Sequence, residues 1–201
     1  MWITDPAAPE PRPTEDVDVI AEITSRGSFA DFEERLRRRG FCHDQRSGVI
    51  CRWGHPDSDL VLDVMPMDAS ILGFENRWQR AAVPHAIERT LPSGASIGTV
   101  SPPYLVATKP EAFASRGHDD YIASRDFADI VSLLDGRAEL VREIADAPAD
   151  LRTYVVTELV RHRTHWRFTE GIYAALLPDD ASQARADRIV IPRVEAIVAT
   201  G

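Results

Sequence analysis

Cysteine and long apolar runs are both scarce in this chain. Two cysteines, Cys42 and Cys51, cannot form a disulfide framework, which excludes a small disulfide-rich secreted domain. No apolar run approaches the roughly 20 residues of a membrane-spanning helix. The first residues have neither the basic start nor the apolar core of a signal peptide. We therefore expect a cytoplasmic protein without a membrane segment.

Basic residues are also fewer than acidic ones. The chain has 23 Lys and Arg residues against 32 Asp and Glu, a formal net charge of −9. This balance excludes a wholly basic nucleic-acid-binding surface but leaves room for a local basic groove. Lysine occurs once, as Lys109, and every other basic residue is arginine. A single lysine among so many arginines is consistent with a site that needs a compact ammonium group, to which a guanidinium is not equivalent. The alternative is that one lysine has survived by chance at an exposed position.

The apolar and polar pattern predicts an α+β fold in which a mixed β-sheet with flanking helices precedes a helical C-terminal half. Prolines make residues 1–15 an extended arm, residues 16–115 form the α/β core, and residues 116–201 are helical. We expect strands over 17–23, 49–53, 60–65 and 95–100, with a turn at 54–57 that makes the second and third a hairpin. Ser28 is expected to cap a helix that ends near Gly40. Further helices are expected at 81–91, 104–115, 126–135, 137–146, 149–176 and 183–199.

Three carboxylates fall on predicted strands. Asp16 and Asp18 are two residues apart, so their side chains leave the same face of one strand. Asp63 interrupts the apolar run 60–65, where a purely structural strand would carry an aliphatic residue. Three converging carboxylates repel one another unless a cation is present, and Mg²⁺ prefers such oxygen ligands. The alternative is that Asp63 pairs with Arg52 of the neighbouring strand.

Four segments together resemble a known family: residues 14–20 (TEDVDVI), 62–66 (LDVMP), 71–74 (ILGF) and 101–113 (SPPYLVATKPEAF). They are similar to the AbiEii/AbiGii-type nucleotidyltransferases, the toxin components of abortive-infection toxin–antitoxin systems within the DNA polymerase β-like superfamily. The resemblance extends from about residue 12 to about residue 140. It implies a nucleotidyltransferase-like core in which strand carboxylates bind Mg²⁺ and a lysine contacts the nucleotide.

The resemblance also implies the role of each matched residue. Asp16, Asp18 and Asp63 correspond to the metal-binding acids, and Asp63 would also help to deprotonate the acceptor. Lys109 falls on the lysine of the family's K-x-x-A helix and would neutralise charge on the phosphates. Residues 124–130 (SRDFADI) resemble an R-D-x-x-D element, in which Asp126 would orient Lys109 or the nucleotide and Asp129 would contribute to nucleotide binding.

The function implied is Mg²⁺-dependent transfer of a nucleotide from an NTP to an acceptor hydroxyl, with RNA, and tRNA in particular, as the acceptor. Its biological role would be that of a toxin held in check by an antitoxin protein. Two alternatives stay open. One is a degenerate, non-catalytic nucleotidyltransferase fold that acts as a binding module, and the other is a nucleotidyltransferase that modifies a small molecule such as an antibiotic.

Two features depart from the family pattern. The Gly-Ser loop that precedes the carboxylate strand and cradles the triphosphate is absent, because no glycine occurs before Asp16 and Gly27 comes after the strand. Either the start lies further upstream or the phosphate loop has been lost. The uncovered sheet edge that results would favour a homodimer. The second departure is Pro110, which suggests that Lys109 opens a helix capped by Thr108.

Other candidate sites have simpler structural explanations. The run Arg37 to Arg39 suits a helix C-terminus. Residues 161–167 (RHRTHWR) place basic and aromatic groups together, as in single-stranded nucleic-acid binding, but a solvated face with one core tryptophan is the alternative. Cys42, Cys51 and His55 lack a fourth metal ligand, and the two cysteines are expected to be ordinary core thiols. Trp78 and Tyr104 are expected in the core.

Overall fold

The chain forms two compact units. The computed structural model describes residues 3–6, 8, 9, 14, 16–45, 47–73, 76–117 and 119–201. We call residues 12–80 the strand unit and residues 1–11 with 81–201 the helical unit. The described chain contains a four-stranded mixed sheet, a two-stranded sheet and a helical C-terminal half, so the predicted α+β class is confirmed. The predicted boundaries at residues 15 and 115 stay predictions.

The strand unit is built on the four-stranded sheet, whose strand order is β1-β4-β3-β2. β1 and β4 are parallel, whereas β3 is antiparallel to both β4 and β2. The predicted hairpin is confirmed as the β3–β4 pair. In chain order, the elements of the strand unit are β1 (Asp16–Ala21), α1 (Arg26–Arg38), β2 (Cys42–His43), β3 (Arg52–Gly54), β4 (Val61–Pro66), α2 (Ala69–Leu72) and α3 (Arg77–Ala82).

Helix α1 begins earlier than the sequence pattern predicts. Ser25, not Ser28, is the N-cap: its backbone is extended, and its hydroxyl oxygen accepts a hydrogen bond from the Ser28 N–H at 3.2 Å. The helix ends at Arg38, and Gly40 follows with a φ of 89°, close to the predicted end. Arg37 and Arg38 lie in the last turn, as a C-terminal helix dipole favours.

The two faces of the four-stranded sheet differ in polarity because side chains alternate along each strand. One face carries Trp53 and Val64, which are fully buried and pack with Leu36 of α1. The opposite face carries Asp63, and the backbone register places Asp18 beside it on β1 and Arg52 beside it on β3. The apolar core on one side therefore fixes charged side chains on the other.

The helical unit contains the β5–β6 hairpin and seven helices within the described residues. The predicted helix over 81–91 is wrong: a single 3₁₀ turn at Val83–His85 leads into strand β5, which pairs with the correctly predicted strand β6. The elements are β5 (Ile87–Thr90), β6 (Ser96–Thr99), α4 (Pro102–Arg116), α5 (Arg125–Gly136), α6 (Leu140–Ala145), α7 (Ala149–Arg163), α8 (Phe168–Ala175), α9 (Asp180–Arg185) and α10 (Ile191–Val198), with a π-helical turn (Ala186–Val190) between the last two.

Helix α4 corrects the expected position of Lys109. The helix begins at Pro102, where prolines fit because the first turn needs no N–H donors, and Lys109 lies in its middle. Thr108 does not cap a helix, since its hydroxyl donates to the Leu105 carbonyl at 2.8 Å. Pro110 is accommodated inside the helix. Lys109 therefore does not lie at a helix N-terminus.

Within the helical unit, part of the proline-rich arm packs against the end of α5. The Asp5 N–H donates to the Gly136 carbonyl at 2.7 Å, and the Asp5 carboxylate accepts from the Ala138 N–H at 2.8 Å. A Cβ on Gly136 would lie only 2.8 Å from the Thr4 side chain, so the close approach requires glycine. Much of the rest of the predicted arm lies outside the described residues.

The core of the helical unit contains a buried histidine among aromatic rings. His162 is fully buried, its Nδ1 lies 2.7 Å from the Tyr121 hydroxyl, and its ring packs edge-on against Phe113. Its Nε2 has no hydrogen-bond partner among the described residues. Burial lowers the pKa of His162 from 6.5 to about 4, so the folded chain keeps this ring neutral.

The depressed pKa of His162 predicts a loss of stability in mild acid. Below about pH 6.5 the unfolded chain binds a proton at this ring, whereas the folded chain does so only near pH 4, so the free energy of unfolding falls between these values. From about pH 7 to about pH 5 the loss is about 2 kcal/mol, measurable by urea unfolding. His162→Phe should remove this part of the pH dependence, whereas His165→Gln should retain it. An unchanged pH dependence in His162→Phe would contradict the assignment.

None of the helices in the described ranges is both long and apolar enough to cross a membrane.

Candidate functional site

The polar face of the strand unit brings together the three predicted carboxylates. Asp16 and Asp18 leave the same face of β1, and Asp18 lies opposite Asp63 in the parallel register of β1 with β4. The Asp63 side chain is only 11% exposed, whereas that of Asp16 is about one third exposed. A carboxylate as buried as Asp63 needs a partner, since an unpaired buried charge is costly.

Arg52 is that partner. Its Nε and one terminal nitrogen donate to the two oxygens of Asp63 at 2.9 and 2.7 Å, and the same terminal nitrogen donates to Asp16 at 2.7 Å. The hydrogen-bonded Asp63 carboxylate raises the pKa of Arg52 above its ordinary value. The alternative pairing of Asp63 with Arg52, which the sequence left open, is therefore what the structure shows.

The arrangement of these residues does not fit a divalent cation. Both oxygens of Asp63 and one oxygen of Asp16 already accept charge-assisted hydrogen bonds from Arg52, which brings a positive charge to the place a cation would need. Among the described residues, no group of three His, Cys, Asp or Glu side chains is arranged to hold a metal ion. The assignment of Asp16, Asp18 and Asp63 as metal ligands stays a prediction.

The helical unit contains a second cluster of predicted residues. Lys109 Nζ donates to Asp129 at 2.6 Å and lies 3.8 Å from an oxygen of Asp126. Ser124 caps α5, which places Asp126 in the first turn and Asp129 on the same face almost one turn later. The structure therefore brings together the lysine of α4 and both acids of the R-D-x-x-D element.

Arg116 completes this cluster, and sequence reasoning missed it. Its Nε and one terminal nitrogen each donate to Asp126 at 2.8 Å, a bidentate pair, while most of the guanidinium side chain remains exposed. Arg116 follows Lys109 by seven residues, which is two helical turns, so the spacing places both on one face of α4. That spacing was the signal that could have identified Arg116.

The carboxylate of Asp126 joins the two cations. Its side chain is 6% exposed, and Arg116 and Lys109 both lie within ion-pair distance. Two cations and two acids balance in charge, so the cluster is a neutral ion-pair network that holds the lysine in place. The side chain of Lys109 is itself only 16% exposed. We call Lys109, Arg116, Asp126 and Asp129 the lysine cluster.

The predicted site residues are divided between the two units. Asp16, Asp18 and Asp63 belong to the strand unit, and Lys109, Asp126 and Asp129 belong to the helical unit. Each set is organised within its own unit by the contacts described above. Neither Arg52, which contacts Asp16 and Asp63, nor Arg116, which contacts Asp126, was among the predicted site residues.

The basic and aromatic run over 161–167 does not form an open cationic patch. Arg161, Arg163 and Arg167 each lie within 4.0 Å of a glutamate carboxylate. His162 is in the core, so it is unavailable to a ligand. Trp166 is 76% exposed, which corrects the expectation that it lies in the core. These pairings favour the solvated-face interpretation of the run.

The remaining candidates have ordinary environments. Trp78 and Tyr104 are buried, as predicted. Cys51 is buried, and burial raises the pKa of its thiol. Cys42 is exposed, which corrects the expectation that both thiols lie in the core.

The fold and the two clusters define a class of protein. A small mixed sheet with carboxylates on one face, followed by helices that carry a lysine–aspartate cluster, has the features of a nucleotidyltransferase-like protein. The family model "Nucleotidyl transferase AbiEii toxin, Type IV TA system" matches residues 65–199. That match covers about two thirds of the chain, and the chain therefore belongs to the AbiEii family of nucleotidyltransferase toxins. No curated protein and no solved structure matches it.

The extent of the match separates the two clusters. Residues 65–199 include all four members of the lysine cluster and begin just after Asp63. The family evidence from this match therefore concerns the helical unit and the last residues of the strand unit. The match does not include Asp16, Asp18 or Asp63, so their role is argued from the geometry around Arg52 alone.

Proposed function

We propose that the protein transfers a nucleotide from an NTP to the hydroxyl group of an acceptor, and that the acceptor is RNA, tRNA in particular. The single observation that carries this proposal is the lysine cluster, which is organised within the part of the chain that the family model matches. Membership in a Type IV toxin–antitoxin family implies a nucleotide substrate and an antitoxin partner. Transfer to an essential RNA would explain toxicity.

In the proposed reaction the acceptor oxygen attacks the α-phosphorus of the NTP. A new P–O bond forms, the bond from the α-phosphorus to the bridging oxygen breaks, and pyrophosphate leaves while the acceptor proton passes to solvent. Negative charge grows on the leaving oxygens, so a fixed ammonium group lowers the barrier. Lys109 supplies that group, since its Nζ is held in place by Asp129 at 2.6 Å.

The acids of the lysine cluster act on the lysine rather than on the phosphate. Asp129 holds the ammonium at one side, and Asp126, fixed by two hydrogen bonds from Arg116, limits its movement at the other. A lysine held by two carboxylates stays oriented, and this preorganisation lowers the cost of ordering during the reaction. Asp126 and Asp129 are therefore proposed as positioning residues.

Because of Arg52, the proposal does not depend on a metal ion bound to the strand carboxylates. Nucleotidyltransferases generally use a divalent cation, which the resemblance identifies as Mg²⁺. Because Arg52 holds Asp16 and Asp63, no step of the proposal runs through Mg²⁺ bound to these residues.

The direct test is an assay of the full chain with each α-labelled NTP, Mg²⁺ in the buffer, and a pool of tRNA as acceptor. We expect label on the RNA together with an equal amount of pyrophosphate. A second set of reactions replaces RNA with aminoglycoside and other hydroxyl-bearing small molecules. Label on a small molecule alone would replace the RNA proposal with the small-molecule alternative, and no label on any acceptor would contradict transfer.

A second candidate function is a non-catalytic, nucleotide-binding module. The observation that favours it is the engagement of Asp16 and Asp63 by Arg52, which removes two predicted metal ligands from a reaction. Thermal-shift titration with each NTP separates the two functions. Stabilisation by an NTP without label transfer would favour the module, whereas both results together support the enzyme.

A homodimer belongs to the same proposal. β1 is an edge strand of the four-stranded sheet as far as the chain is described, and Val17 on it is about half exposed. Edge strands with exposed apolar side chains favour pairing with a second copy of the chain. Light scattering of the purified protein over a range of concentrations measures this assembly directly.

A further inference from the structure

Arg52 reaches across a strand to bind its two partners. The strand order places β4 between β3 and β1, so the side chain of Arg52 passes over Asp63 of β4 before it contacts Asp16 of β1. The adjacent residue, Trp53, is 1% exposed on the other face of the sheet. Burial of Trp53 fixes the alternation along β3, and that alternation directs Arg52 to the carboxylate face.

Arginine is suited to this position in a way that lysine is not. The planar guanidinium donates from two nitrogens to both oxygens of Asp63, and one of these nitrogens donates again to Asp16. A lysine ammonium has its charge on one nitrogen, so it could not donate to both carboxylate oxygens of Asp63 in this way and also reach Asp16. All three contacts are between 2.7 and 2.9 Å, the range of charge-assisted hydrogen bonds.

We propose that Arg52 is the resident counter-ion of Asp16 and Asp63, and that it keeps a divalent cation from binding to this face of the sheet. A cation would need the same carboxylate oxygens, so it would have to break these hydrogen bonds. It would also lie close to the positive charge of the guanidinium. Loss of the guanidinium releases the oxygens of Asp16 and Asp63 to turn toward a cation, and carboxylate oxygens are the ligands that divalent cations prefer. This inference goes beyond the proposed function, because it concerns the cation alone.

The test is a titration of the full chain with Mn²⁺ in the absence of nucleotide, with free Mn²⁺ measured by electron paramagnetic resonance. The variant Arg52→Met keeps a long side chain and removes the charge. It is expected to bind one Mn²⁺ at least about tenfold more tightly than the unsubstituted chain. Asp63→Asn added to Arg52→Met should abolish that gain. Arg37→Met, which removes an exposed arginine of α1 in the same unit, should leave Mn²⁺ binding unchanged.

Two results would overturn the proposal. One is a site in the unsubstituted chain that binds Mn²⁺ as tightly as Arg52→Met and is lost in Asp63→Asn. The other is a folded Arg52→Met that gains no Mn²⁺ binding. If circular dichroism shows that Arg52→Met does not fold, the comparison of the unsubstituted chain with Asp63→Asn decides: Mn²⁺ binding that depends on Asp63 overturns the proposal, and its absence supports it. Because no nucleotide is present, these outcomes are independent of nucleotide transfer.

Discussion

Lys109→Met is expected to lower nucleotide transfer at least about 100-fold, the loss typical of removing one preorganised donor to a developing phosphate charge. The substitution keeps the length of the side chain and removes the ammonium that Asp129 and Asp126 hold. The fold should survive, because Asp126 keeps its bidentate pair with Arg116 and Asp129 is partly exposed. Initial rates with saturating acceptor RNA, measured beside the thermal unfolding of the same samples, give both quantities.

Two further variants define what this result means. Lys109→Arg keeps the charge but replaces a compact ammonium with a planar guanidinium, so we expect it to recover only part of the activity. Arg142→Met removes a cation from an exposed pair with Glu139 in the same unit and should leave the rate unchanged. Full activity in Lys109→Met would remove the lysine from the reaction, even if transfer itself is demonstrated.

Phe113→Ala is expected to lower the free energy of unfolding by about 3–5 kcal/mol and the melting temperature by about 10 °C. Phe113 is fully buried in α4, and its ring packs against Tyr121, Phe127 and His162 from three other parts of the helical unit. Truncation therefore leaves a cavity among the three remaining rings. It also loosens the helix that carries Lys109, four residues earlier.

The matched control for this prediction is Leu177→Ala. Leu177 is 60% exposed between α8 and α9, so its truncation removes little buried surface and should change stability by less than about 0.5 kcal/mol. Phe113→Leu, which keeps much of the volume, should fall between the two. Equal melting temperatures for Phe113→Ala and Leu177→Ala would contradict the position of Phe113 in the core.

Local sequence pattern was sufficient for much of the strand unit. Alternation along residues 17–23 predicted β1, the apolar run over 60–65 predicted β4, and the turn at 54–57 predicted the β3–β4 hairpin, because these patterns depend on neighbouring residues alone. The same reasoning failed at 81–91. There the β5–β6 pairing, a contact between segments that no local pattern describes, makes residues 87–90 a strand.

Lys109 shows how local pattern can misplace a candidate residue within its helix. Its rarity and the surrounding motif singled it out as a candidate, but Pro110 wrongly suggested a helix start. Prolines at 102 and 103 already open α4, and the packing of that helix keeps Pro110 inside it despite the lost hydrogen bond. Tertiary packing outweighed the local preference of one residue.

By itself the sequence determined the α+β class, the family and the identity of the residues with reactive side chains, since each of these depends on residue type and spacing. Only the tertiary structure decided which charges pair with one another. Pairing with Arg52 was one of two interpretations of Asp63, and Arg116 was one arginine among 22, until the strand order placed Arg52 across Asp63 and the packing of α4 on α5 placed Arg116 against Asp126. Ion pairs between segments distant in the chain depend on distances of a few ångströms, and those distances exist only after the backbone has folded.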